Sequence, residues 1–210
     1  MNQITLHHYW RSSCSWRVRW ALELKGLTWH AKPVNLLKNE QQTSAYTQKN
    51  PAACVPCLEY RGEFLADSIA IIEWLDETFP GHSLFPTSPS CRAKVRQLVG
   101  IIASGTQPIQ NLWVLKELHG LGQDRAKWAA DVITRGLGAY ETVLQRTSGT
   151  FSYGGQITAA DLCLVPQVYN AHRFNVDMQK FPISERIYQH CLTLKSCDQA
   201  APHNQDGAQP

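Results

Sequence analysis

Hydrophobic and polar positions over residues 1–80 switch between a two-residue period and a period of three to four, as strands interleaved with helices should. Residues 4–9 read as a strand whose alternation is broken by polar positions. A helix is predicted over 15–25, where Val18, Ala21 and Leu22 share a face that Trp20 and Leu24 broaden. Gly26 then stands where a helix end favours a left-handed residue. Residues 27–34 supply a second strand. Residues 35–50 are polar and weakly patterned, which predicts irregular structure or a short helix. Short strands at 58–60 and 63–65 flank an Arg61-Gly62 turn, and Ser68 is expected to cap a helix carrying Ile69, Ile71, Ile72, Trp74 and Leu75. The order is β-α-β, an irregular stretch, then β-β-α.

Pro80-Gly81 ends that pattern, and turn formers continue through Pro86, so residues 81–87 read as a linker between a domain at 1–80 and a second at 88–198. The second is all helical. From Ser88-Pro89 the periodicity predicts helices over 89–119, 124–146, 158–173 and 182–195. Thr158-Ala159-Ala160-Asp161 has capping-box spacing, with Ile157 placed to staple Leu162. Pro108 falls inside the first of these helices and predicts a kink there. Residues 199–210, rich in Gly, Pro, Asn and Gln, read as a disordered tail.

Composition narrows the function classes. At 210 residues and 43% hydrophobic the chain can bury a sizeable core. A net charge of +3 is too slight an excess to argue for nucleic acid or an anionic membrane. No apolar run is long enough for a membrane span, and the first residues lack a secretory pattern, so the expected address is the cytoplasm. Seven scattered cysteines suit reduced thiols.

The stretch Trp10-Arg11-Ser12-Ser13-Cys14-Ser15-Trp16-Arg17-Val18-Arg19 places hydroxyls and a thiol at the start of the first helix. Backbone amides and the helix dipole stabilise anions there, so a sulfur held by Ser hydroxyls ionises more readily than in water. By themselves, Ser12, Ser13 and Ser15 serve equally well as helix caps. The wider chain decides between these readings. SSCSWRVR, together with QPIQN (107–111), ITAADLCLVPQV (157–168) and NAHRF (170–174), resembles the zeta-class glutathione transferases over everything except the tail.

That resemblance implies a thioredoxin-like α/β N-terminal domain and an all-α C-terminal domain, the glutathione transferase fold, with glutathione held between them in a homodimer. It further implies isomerisation of maleylacetoacetate in phenylalanine and tyrosine breakdown: the glutathione thiolate adds to a cis double bond, the bond rotates, and elimination returns glutathione. The small anionic maleyl-type substrate needs cations for its carboxylates and donors for developing charge. On this reading Ser12 donates to the glutathione sulfur, assisted by Ser13 and Cys14. Val55 and Pro56, the latter cis in thioredoxin-like folds, present backbone to the cysteinyl part, while Asp67 and Ser68 hold the γ-glutamyl end. Many relatives carry Gln or Glu at the position of Asp67. Gln107 is a further glutathione contact, and Gln107 and Asn111 are expected on one helix face, with Asn111 lining the site or bonding between helices. Arg173 reaches a substrate carboxylate and Arg11 is a second candidate, whereas Arg17 and Arg19 are read as structural residues at the domain junction.

Cys54-Val55-Pro56-Cys57 has C-x-x-C spacing, but redox dithiols of this fold lie at the first helix and no second motif completes a metal set. His7 and His8 alternate on a strand, so only one is expected to face inward. Alternative activities are maleylpyruvate isomerisation, a thioltransferase or dehydroascorbate reductase with Cys14 as nucleophile, dechlorination of α-haloacids as a side activity, and a non-catalytic interaction module.

Overall fold

The computed structural model describes residues 3–208 and divides into two compact units. The first comprises the described residues through Leu84 and from Thr193 onward; the second is Phe85–Leu192.

In the first unit, β1 (Ile4–His8), α1 (Ser13–Leu24), β2 (Trp29–Pro33), α2 (Ser44–Thr47), β3 (Cys57–Tyr60), β4 (Glu63–Ala66) and α3 (Ser68–Thr78) follow in order. The sheet runs β2-β1-β3-β4; β1 and β2 are parallel, and the β1-β3 and β3-β4 pairs are antiparallel. Arg61 and Gly62 both take positive φ, at 54° and 82°, which matches the twist a two-residue hairpin needs. Gly26, at φ 63°, closes α1 as the sequence predicts. The helices α1 and α3 bury Val18, Trp20, Leu22, Ile71, Ile72 and Leu75 with Leu6 and Leu58 of the sheet. Each such side chain stabilises the fold by roughly 1.5–3 kcal/mol.

Both faces of this sheet are covered, which overturns the expectation that one of His7 and His8 faces solvent. They are 2% and 1% exposed. His7 bonds to Glu59 and lies against Tyr46 and Phe64, whereas His8 lies against Arg19 and Trp29.

The expected disordered tail is also corrected. A helix, α9 (Lys195–Ala200), packs on α1 and is followed by a 3-10 turn at Pro202–Asn204, with Cys197, Ala200, Ala201 and Pro202 buried. Trp20 donates its indole N–H to Ser196, and Arg19 donates to the carbonyl of Ala200. Composition predicted disorder because it weighs only the tail itself, whereas order here comes from α1. Residues 209 and 210 of that prediction lie outside the described residues.

The second unit contains α4 (Pro89–Ala103), α5 (Leu112–Gly120), α6 (Arg125–Thr147), α7 (Ala159–Arg173) and α8 (Pro182–Leu192). Ala129, Ile133, Leu137, Tyr140 and Leu144 form the buried stripe of α6. At the start of α7, Asp161 accepts the Thr158 N–H at 2.8 Å and the Ser152 N–H at 2.7 Å, so the predicted capping box is present. Glu141 does the same for α8, accepting the amides of Ile183 and Ser184.

The single kinked helix expected over 89–119 is instead two helices. Between α4 and α5 the chain turns through residues 104–111, with Thr106 and Gln107 both donating backbone N–H to Ile102. Pro108 has no N–H to continue a helix, and Asn111 starts a new one, its side chain accepting the N–H of Leu112.

Candidate active site

Ser12 is the N-cap of α1. Its backbone is extended (φ −68°, ψ 123°), its hydroxyl oxygen accepts the Ser15 N–H at 3.2 Å, and its own N–H donates to Tyr9 O at 3.1 Å. With an amide on one lone pair, the Ser12 hydroxyl keeps its proton to donate outward. Ser13 and Cys14 occupy the first turn, half-buried, beside the fully buried Ser15. Hydroxyls, a thiol and helix amides therefore gather at one positive helix end.

A second helix end lies in the same unit. The N-cap of α3 is Asp67, not Ser68 as expected: its Oδ1 accepts the N–H groups of Ile69 at 2.8 Å and Ala70 at 3.1 Å. Asp67 adopts φ 71° and ψ 123°, a conformation that costs about 1–3 kcal/mol for a residue with a side chain and is found at sites where function fixes the backbone. Ser68 is the first helical residue and 3% exposed. Its Oγ accepts from Arg17 Nη1 at 3.3 Å, and the same nitrogen donates to Cys14 Sγ at 3.7 Å.

Arg17 thus links the two helix ends; it is 1% exposed. The Val55-Pro56 peptide is cis, as the resemblance implied. Val55 is buried with Tyr9, Val34, Tyr46 and Cys57. Among the described residues neither its N–H nor its C=O has a hydrogen-bond partner, although the Cys54 carbonyl beside it receives Tyr46 Oη at 2.6 Å and Asn50 Nδ2 at 2.7 Å. A buried, unpaired peptide group is one that a ligand's main chain can satisfy.

The remaining candidates belong to the second unit, Arg11 excepted. Arg11 is half-buried, its guanidinium 5.2 Å from the Trp10 ring centre. Gln107 and Asn111 are both in the turn between α4 and α5, so their expected place on one helix face is overturned by the helix break at Pro108. Asn111 is a helix cap and does not bond between helices through its carbonyl oxygen. The buried amide of this stretch is Gln110, 5% exposed, whose Nε2 reaches Gln167 Oε1 at 3.5 Å. Arg173 ends α7, exposed, with Nη1 on Asn170 Oδ1 at 3.0 Å and its guanidinium 5.7 Å from the Phe174 ring.

Residues 11–78 match the family model "Glutathione S-transferase, N-terminal domain". A maleylacetoacetate isomerase of Dictyostelium discoideum is 44% identical over 100% of this chain and 98% of its own length. One from Mus musculus is 44% identical over 95% and 93%. The chain belongs to the zeta-class glutathione transferases. The crystal structure of maleylacetoacetate isomerase from Anaeromyxobacter dehalogenans 2CP-1 with GSH bound in the active site is 41% identical, covers 99% of each chain and superposes with a TM-score of 0.91. A bacterial zeta-class maleylpyruvate isomerase in its holo form is 36% identical, covers 98% of this chain and 100% of its own, and has a TM-score of 0.95.

Within this zeta-class chain, sequence reasoning missed the role of Arg17, which is inside the first unit and touches two candidate site residues. The signal available was spacing: Cys14 and Arg17 are three apart, hence on one helix face. Arg19 likewise lies wholly within the first unit, fully buried, donating to Ala200 O, Tyr9 O and Trp10 O and facing His8 Nδ1 at 3.3 Å. Burial pushes its pKa down to about 9. Burial and the adjacent Arg19 cation push His8 down to about 3, so His8 is neutral.

The two cysteines of the C-x-x-C differ in environment. Cys57 is fully buried and its thiol is pushed up to about 11 by burial; exposed Cys54 is also raised, by burial of its thiol and then by Cys14. None of the seven cysteines, all within the described residues, is in a disulfide. Among the described residues no cluster of metal-binding type occurs, and no helix is long and apolar enough to cross a membrane.

Proposed function

We propose that this chain converts maleylacetoacetate to fumarylacetoacetate with glutathione as cofactor. The observation that carries the reading is the convergence of Cys14 and Ser68, at two helix N-termini, on the buried guanidinium of Arg17, with Ser12 capping the first of those helices. Two positive helix ends and a desolvated cation suit a ligand with a carboxylate at one end and an ionising thiol at the other. The unpaired Val55 peptide between Cys54 and Pro56 fits the main chain of such a ligand. Glutathione has all three features.

Bound glutathione supplies a thiolate that adds to the activated cis double bond, permits rotation and is eliminated unchanged. The protein's part is to hold charge and geometry. Ser12 donates its hydroxyl proton toward the sulfur, with Ser13 and Cys14 assisting, and the α1 dipole favours the anionic form. Val55 pairs with the cysteinyl main chain beside Pro56, and Ser68 donates to the γ-glutamyl carboxylate with Asp67 alongside. Gln107 is assigned to glutathione, and Arg173, Arg11 and the amide N–H groups of Asn111 to the carboxylates and carbonyl oxygens of the maleyl acid.

We assign the protein to the cytoplasm, which its seven thiols favour, and to a homodimer, for which exposed Trp113, Leu121 and Trp128 offer apolar surface. Neither nucleic acid nor a membrane is a partner on this reading.

Maleylpyruvate is the second candidate substrate, favoured by the TM-score of 0.95 to the maleylpyruvate isomerase. Following the absorbance of both acids with and without glutathione decides between them. Glutathione-dependent turnover with maleylacetoacetate preferred upholds the proposal, preference for maleylpyruvate transfers it to the shorter acid, and no turnover by folded protein that binds glutathione removes it.

A further inference from the structure

Arg17, the fifth residue of α1, is among the largest fully buried side chains of the chain, although it is charged. A guanidinium brings five donors and no acceptor. At 3.3 Å from Ser68 Oγ, Nη1 can only donate, and so occupies a lone pair of that hydroxyl. A serine in the first turn of a helix otherwise rotates to satisfy local backbone groups, as donor or acceptor. With a lone pair taken from the buried side, the Ser68 proton is left to point at an external acceptor. The same nitrogen reaches Cys14 Sγ at 3.7 Å, so one side chain sets the polarity of groups at the start of both α1 and α3.

We infer that Arg17 is a positioning residue for glutathione, holding the Ser68 hydroxyl as a donor toward the γ-glutamyl carboxylate and joining that end of the site to the thiol end; this rests on the reading of the site as the glutathione site. Charge acts in the same direction. A cation removed from water attracts an anion more strongly than one at the surface, and the carboxylate of Asp67 at the start of α3 is already turned to the amides of Ile69 and Ala70. Lysine in this place retains the charge but not a planar fork that serves two acceptors from one position.

The test is a double-mutant cycle on glutathione affinity, measured by calorimetry on wild type, Arg17→Met, Ser68→Ala and the double variant, with thermal melts to verify folding. Arg17→Met is expected to weaken glutathione binding about tenfold or more, as loss of a charge-assisted hydrogen bond does. The double variant is expected to bind no more weakly than the weaker single variant, because Arg17 acts through Ser68. In turnover, the KM for glutathione rises while kcat at saturating glutathione is retained, and Arg17→Lys recovers part of the affinity. Additive losses, or a fall in kcat with KM unchanged, overturn the inference. Should Arg17→Met fail to fold, Arg17→Lys with and without Ser68→Ala runs the same cycle. If Ser68→Ala alone leaves affinity intact, it is the assignment of the glutathione site that fails.

Discussion

Arg19 in α1 donates Nε–H to the carbonyl of Ala200 at 2.8 Å, a bond spanning 181 positions that fastens the last helix to the first. The same guanidinium serves Tyr9 O and Trp10 O, so the loop leading to Ser12 and the C-terminal helix share one buried cation. Arg19→Met is expected to lower stability by about 2–4 kcal/mol, since it takes the guanidinium donors from Ala200 O and Trp10 O and leaves Tyr9 O with the Ser12 N–H, and to loosen residues 193–208. Urea unfolding and hydrogen exchange of that segment report the two effects.

His8 beside Arg19 predicts acid sensitivity. Its folded pKa of about 3 lies below the 6.5 of an ordinary histidine, so between these values the unfolded chain binds a proton that the native one does not. Stability is therefore undiminished above pH 6.5 and falls as pH drops toward 3, by about 2 kcal/mol at pH 5 for this group alone. His7, also lowered by burial, adds in the same sense. Melts of wild type and His8→Asn across pH 4–8 check it: a His8→Asn curve as steep as wild type excludes His8 as a source.

Lys25 Nζ and Asp76 Oδ1 are 2.9 Å apart with side chains 2% and 6% exposed, and the same oxygen accepts the Leu84 N–H at 2.8 Å. Asp76→Ala leaves a buried ammonium with the Phe79 carbonyl but no counter-charge, and the Leu84 amide without its acceptor, and should cost about 3–5 kcal/mol. Replacing both partners, as Lys25→Met with Asp76→Leu, should recover much of that. A double variant as unstable as Asp76→Ala contradicts the desolvation account.

Gly136 in α6 lies against the Thr106 side chain so closely that an added Cβ would overlap it. Gly136→Ala is expected to cost about 1–3 kcal/mol through overpacking. In a Thr106→Ala background, where only the Thr106 Cβ remains near, the loss should shrink. Equal losses in both backgrounds point instead to the helix backbone.

Ser12→Ala removes the cap of α1 together with the hydroxyl that we propose donates to the glutathione sulfur. Turnover should fall by about 10²–10³, as when one stabilising donor is lost, with about 1 kcal/mol of stability. Cys14→Ala should retain most isomerase activity. If Cys14→Ala abolishes activity and Ser12→Ala spares it, Cys14 is the nucleophile and the chemistry is thiol exchange.

The α/β order, the Arg61-Gly62 turn and the Asp161 capping box were legible because each depends on residues within a few positions of one another, whereas the first helix, expected from residue 15, begins at Ser13 with Ser12 as its cap. Asp67 shows the limit of that legibility. Ser68 and Asp67 are both good caps, and the choice between them depended on a positive φ that no pattern announces. Pro108 shows another: the sequence marks where a helix loses a donor, but whether the chain bends or breaks there depends on what surrounds it, including the close approach of Gly136 to Thr106.

By itself the sequence determined the alternation of elements, the chemistry gathered at Ser12, Ser13 and Cys14, and the zeta-class family. Tertiary structure alone decided that Arg17 bonds Ser68 across 51 positions, that both His7 and His8 are buried, and that α9 is ordered against α1. The physical reason is separation along the chain. Periodicity, caps and turns follow from local sterics and hydrogen bonds, whereas burial of a cation or ordering of a tail is decided by distant segments that pack against it and repay the entropy and desolvation it costs.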